Sequence, residues 1–212
     1  IIGHERSCIL GLDPYTSVDN FVSKAQALDD KRAILVAPGS ATRTTSSGTI
    51  MTVRGPMIAA ALAGLITAQD KVVTPVTGKV ITGVVITDEQ YQPYELNLMG
   101  GNGVCILTSA SGVIKIRHAT TTDVASADTR EISVVAADDL VRRITRTKLT
   151  DAYIGKGIVI NTSTPAQVAA TVASIWTGLI RDGLIDAYGT KFDPSTGEVP
   201  ISAVQDSIEP TR

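Results

Sequence analysis

Arg32 to Pro38 reads RAILVAP, a continuous apolar run between a charge and a Pro-Gly pair, with nothing polar on either face of the strand it would form. A strand that alternates has one wet side. One that does not must be covered on both, which means helices packed above and below a central strand. The preceding segment, Ser17 to Asp30, places Val18, Phe21, Val22, Ala25 and Leu28 at helical spacing behind an Asp13-Pro14 turn. An amphipathic helix leading into a doubly covered strand sets the fold class as α/β (α+β), a β-sheet core flanked by helices.

The remaining pattern fills in that layer. Gly55-Pro56 opens MIAAALAGLITA, a run whose small residues let a helix approach a sheet closely; its internal Gly64 costs about 1 kcal/mol relative to Ala, so a packing reason is expected for it. At ten residues, the apolar stretch Met57 to Ile66 falls short of the roughly 20 needed to cross a bilayer and reads as a buried helix. Ser40 to Thr49, SATRTTSSGT, reads as a flexible polar loop. Lys71 to Asp88 alternates β-branched residues with Thr, Gly and Pro and favours extended structure. Gly103 to Thr108 and Gly112 to His118 fit a β-hairpin across Ser109-Ala110-Ser111-Gly112. Glu131 to Leu149 carries Val135, Leu140, Val141 and Ile144 on one helical face, with Asp138 and Asp139 four residues ahead of Arg142 and Arg143.

Tyr153 to Tyr188 reads as a complete packing unit. Gly157-Ile158-Val159-Ile160 is a short strand and Asn161 to Thr164 a polar loop. A helix follows with Thr164 as N-cap, Pro165 in the first turn and Gln167 as in a capping box. Val168, Val172, Ile175, Trp176, Leu179 and Ile180 form its apolar stripe, and Gly183 stands where a C-terminal glycine ends a helix. After Tyr188, Pro194, Pro200 and Pro210 exclude a regular helix, while Val199, Ile201 and Ala203 alternate as in one strand. This tail has too little apolar content to fold by itself.

Composition narrows the classes of function. A formal net charge of -2 argues against a general polyanion-binding surface. The 4% aromatic content puts the burden of the core on Val, Ile, Ala and Leu. Two distant cysteines, Cys8 and Cys105, make neither a zinc cluster nor a disulfide framework and favour a reduced compartment. The chain opens Ile-Ile-Gly-His without initiator Met or signal pattern, as a fragment or processed product would.

Reactive groups are sparse. His4 and His118 lie in no zinc-type motif, and His118 reads as a structural residue at a strand end. No G-x-S-x-G elbow is present, which weighs against a hydrolase. Gly100-Gly101-Asn102-Gly103 lacks the ending of a phosphate loop and reads as a tight turn. The adjacent carboxylates Asp29-Asp30, Asp88-Glu89 and Asp138-Asp139 read as caps and solvated element ends. We expect no catalytic residue, cofactor or metal. Arg142, Arg143, Arg146 and Lys148 concentrate positive charge over two helical turns, either as a solvated face or as a docking face for an acidic protein; without interleaved aromatics they do not suit nucleic acid.

Taken in order, these segments resemble the tail sheath proteins of contractile bacteriophages and related injection systems. RAILVAPG looks like that family's buried strand, GPMIAAALAGLI its alanine-rich helix, and ELNLMGGNGVCIL its helix, turn and strand. Glu131 to Val135 leading into Asp139-Leu140-Val141 resembles its long helix, and Tyr153 to Tyr188 its terminal unit. Thr74-Pro75-Val76-Thr77-Gly78 and Ile116-Arg117-His118-Ala119-Thr120 depart from the usual family runs, marking a divergent member.

The resemblance implies a conserved core over 1–188, with a strand and helix layer over about 1–128 and a helical part over about 129–188, and an extended arm over 189–212. In such proteins the arm adds a strand to a neighbour's sheet, which would here fall on Val199, Ile201, Ala203 and Val204. The basic group Arg142, Arg143, Arg146 and Lys148 becomes the candidate contact to a tail tube. The implied partners are further copies of the chain in hexameric, helically stacked rings, the tube, baseplate and tail terminator proteins, with no nucleic acid and no membrane insertion. The implied setting is a virion tail assembled in the host bacterial cytoplasm. The competing classes are an injection-system sheath, a capsid or secretion scaffold, and an α/β hydrolase.

Overall fold

The computed structural model describes residues 6–69, 71, 74–85, 91–110, 113–156 and 164–185. The chain divides into two compact units, Ile1–Asp138 and Asp139–Arg212.

The first unit is built on a five-stranded mixed sheet. Its strands are β1 (Cys8–Gly11), β2 (Ala33–Ala37), β5 (Val80–Ile81), β6 (Val104–Ala110) and β7 (Val113–His118), in the order β1-β2-β6-β7-β5. β2 lies between β1 and β6 and runs parallel to both; β6, β7 and β5 are antiparallel neighbours. All five residues of β2 are buried. Its side chains divide by parity: Ile34 and Val36 join a core on one face of the sheet, Leu35 and Ala37 a core on the other. β6 repeats the division, with Cys105 and Leu107 on the first face and Val104 and Ile106 on the second. Helices on both sides account for the missing alternation in RAILVAP.

On the second face lie α1 (Val18–Leu28) and α3 (Pro93–Gly101), which contribute Phe21, Ala25 and Met99. Phe21 meets Tyr91 edge to face at 6.4 Å between ring centroids, and the Tyr91 hydroxyl donates to the Thr16 carbonyl at 3.2 Å. Both helices start on satisfied backbone groups. The Asn20 N–H donates to Ser17 Oγ at 3.4 Å in α1, and Gln92 and Glu95 form a capping box ahead of α3. On the first face α2 (Gly55–Thr67) supplies Ile58, Ala59 and Leu62. Its start abuts the end of β1 through two glycines: a Cβ on Gly11 would stand 2.1 Å from the Gly55 backbone. Only glycine fits both sides of that contact.

Several expectations change. Ser40 to Thr49 is not a flexible loop. It forms β3 (Ser40–Thr44), the turn, and the register of an antiparallel hairpin with β4 (Ile50–Arg54). Ala41 and Val53 anchor that hairpin in the first core. Its polarity reflects half-buried and exposed β-branched threonines, and the turn closes on itself: the Thr45 N–H donates to the Thr49 carbonyl at 2.8 Å, and the Thr49 N–H to Thr45 Oγ1 at 3.1 Å. Gly64 has no packing contact among the described residues, none of whose atoms lies within 4 Å of where its Cβ would be. Within Lys71 to Asp88 the extended structure reduces to β5 and a bridge from Val85 to Thr42, with residues 72–73 and 86–88 outside those described. Asp138 does not stand at a helix end. It lies inside α5 (Ile132–Tyr153) and pairs with Lys31 at 3.8 Å. β1 leaves no signal in the sequence, because Cys8-Ile9-Leu10 is too short to register as a run.

Candidate docking surface

The second unit contains α5 from Asp139 onward and α6 (Thr164–Arg181). α6 buries Ile175 and Leu179 from the expected stripe. Side-chain hydrogen bonds link the helices. Trp176 Nε1–H donates to Thr145 Oγ1 at 3.0 Å, and the Tyr153 and Thr171 hydroxyls lie 2.7 Å apart. α6 then ends in a Schellman motif: Gly183 has φ 67, its N–H donates to the Ile180 carbonyl, and the Leu184 N–H reaches back to Leu179, each at 2.9 Å. Neither the Thr145 nor the Tyr153 bond has a direct signature in the sequence. A Trp on an apolar stripe was the available signal, because a half-buried indole N–H needs an acceptor.

Arg142, Arg143, Arg146 and Lys148 are all exposed on α5. They do not form one face. At 100° per residue the three arginines share one sector, and Lys148 lies roughly 120–160° around the helix from each. Asp139 falls within the arginine sector and offsets part of its charge. Lys148 instead lines a shallow depression of about 500 Å3 with Ala170, Thr171, Ser174 and Ile175 of α6. Val199, Ile201, Ala203 and Val204, like the expected strand Gly157 to Ile160, lie outside the described residues.

Cys105 and His118 both lie in the first unit. Cys105 is buried in β6, and burial pushes its thiol up to about 12. His118 closes β7; burial foremost, then Arg117 and Arg130, holds its imidazole below the ordinary range. Among the described residues no group of three or more His, Cys, Asp or Glu side chains is placed to hold a metal ion, and no helix is long and apolar enough to cross a membrane.

This fold is found in the sheath proteins of contractile tails and injection machines. A sheath tail protein from Listeria innocua superposes with a TM-score of 0.62 at 17% identity, over 78% of this chain and 38% of that one. The contracted helical sheath of the anti-feeding prophage superposes with a TM-score of 0.54 at 14% identity, over 82% and 54% of the two chains. In sequence, the chain is similar to the tail sheath protein of Mycobacterium phage Bxz1, with 28% identity over 192 residues, 87% of this chain. It spans 32% of that protein's length. No family model matches. The likeness to tail sheath proteins drawn from residue order thus recurs in both sequence and fold.

Proposed function

We propose that this chain is the conserved core of a structural subunit of a contractile phage tail sheath, which polymerises around a tail tube and shortens to drive the tube through a host envelope. The observation that carries the reading is similarity to sheath proteins along 87% of the chain in sequence and about four fifths of it in fold. It is not the reading of an enzyme: the relatives are named as sheath proteins, and this favours a mechanical role over the α/β hydrolase considered from sequence. The phage relative in sequence favours a virion tail over an injection system.

In this reading copies of the chain stack as hexameric rings, and baseplate and terminator proteins bound the stack. Residues 1–188 form the core and 189–212 the arm, with Val199, Ile201, Ala203 and Val204 adding a strand to a neighbouring subunit. Arg142, Arg143 and Arg146 face the tube, where exposed ion pairs of about 0–1 kcal/mol each would break readily on contraction. Negative-stain microscopy of the purified chain tests the proposal. Cross-striated hollow cylinders are the expected outcome, and a chain that stays monomeric at every concentration and salt would overturn it.

A further inference from the structure

Within the first unit a cavity of about 440 Å3 opens beside the end of β7, where Thr120 bridges to Glu131 just ahead of α5. Its polar lining comes from Thr77, His118, Thr120, Arg130 and Glu131, with Val124 among its apolar residues. The hydrogen-bonding balance is uneven. Thr120 Oγ1 is buried and has no partner among the described residues, a condition rare enough in folded proteins to need an explanation. Thr77 Oγ1 accepts from the Ala119 N–H at 3.2 Å, which leaves its own proton to donate.

Arg130 lies on α4 (Ala127–Arg130), and its Nη2 donates to the Gly100 and Gly101 carbonyls at 2.9 and 3.2 Å. The end of α3 thereby fixes the guanidinium and leaves the Nε and Nη1 donors over. His118 Nε2 accepts from Arg117 Nε at 3.4 Å, so the imidazole proton sits on Nδ1. Against these four donor groups stands one carboxylate, Glu131, whose Oε1 already accepts from Ser133 Oγ at 3.2 Å.

We infer that this cavity is an oxyanion site that takes a carboxylate on a short, partly apolar body, with Arg130, His118, Thr77 and Thr120 as its donors and Val124 against the body. A bare carboxylate would fill little of the space, which is why the ligand carries a body. Arg117 on β7 and Arg130 on α4 bear on His118, and Glu131 lines the same cavity. An anion among them offsets the two arginines and returns affinity for a proton to the imidazole. The ligand is either an acidic side chain of a neighbouring protein or a free organic acid, and the two present the same chemistry.

The test uses the unassembled 212-residue chain, so it stands apart from the sheath reading. His4 and His118 are the two histidines, and a His4→Gln variant assigns the His118 ring resonance. N-acetylglutamate α-amide is titrated against sodium chloride at equal ionic strength. The expected result is a saturable His118 shift and a rise in its pKa of about half a unit or more. Arg130→Gln should weaken binding at least about tenfold, the scale of losing a charge-assisted donor. Because that variant also loosens the end of α3, Thr120→Val is the second probe: it deletes only the unpartnered hydroxyl, so the melting temperature should hold while affinity falls several-fold.

A His118 response no larger than that of chloride, or parental affinity in both variants, overturns the site. Added during assembly, the same compound distinguishes the sources. Lower polymer yield than in chloride assigns the carboxylate to a neighbouring chain, and unchanged yield assigns it to a free acid.

Discussion

Gly64 stands inside α2 with open space where a side chain would begin, so it bears the backbone cost of glycine without a compensating contact. Gly64→Ala should stabilise the fold by about 1 kcal/mol, read as a higher thermal midpoint. Cys105 makes the opposite point about a polar group in a core. Burial raises its thiol from 9.0 to about 12, while the unfolded thiol ionises near the ordinary value. The folded pKa is the higher one, so this contribution to stability is complete below the ordinary value and is lost as pH climbs through the window toward 12. A thiol reagent at neutral pH should modify exposed Cys8 in the native chain and reach Cys105 only on unfolding. At this scale the sequence is a poor guide to what is vacant. His118 reads as a strand-end residue, whereas the unpartnered Thr120 hydroxyl depends on neighbours distant in the chain.

The elements were legible where one periodicity dominates. α1, α2, α5 and α6 follow from apolar spacing, and RAILVAP from the absence of alternation, while Thr164, expected as the N-cap of α6, is its first helical residue. The β3–β4 hairpin was hidden because threonine serves both strands and turns, and only the burial of Ala41 and Val53 distinguishes them. The end of α6 was plainer, since a glycine after an apolar stripe has one common use. Gly183 at φ 67 fills it, and Gly183→Ala should cost about 1 kcal/mol and fray the last turn, measured as faster amide exchange at Gly183 and Leu184.

For the whole molecule, fold class and family likeness could be read from residue order, but the strand order β1-β2-β6-β7-β5 could not, because parallel neighbours leave no local signature. The four basic residues were grouped by proximity in sequence, and helix geometry separates Lys148 from the arginines. Two variants test the assembly. Removing residues 197–212 should abolish polymerisation and leave a folded monomer; polymer formed by the truncated chain would contradict the arm. Reversing Arg142 and Arg143 to Glu should weaken co-assembly on tubes at low salt, where exposed charges are least screened, and leave tube-free folding intact.

Leu35 faces Val104 across the central seam, with β3, β4, α2, β5 and α3 lying between them in the chain. The β6–β7 hairpin needs only a short turn to close, whereas this seam must await a long loop, and the loop entropy is spent before any contact rewards it. The expected order of folding is therefore hairpins first and the β2–β6 seam late. In rate measurements, Leu35→Ala should mainly hasten unfolding, and Ile114→Ala should mainly slow folding; equal partition in both would reject that order. Until the seam closes, the most apolar strand of the chain has neither face covered, which makes the interval between synthesis and closure the period of greatest exposure to mispairing.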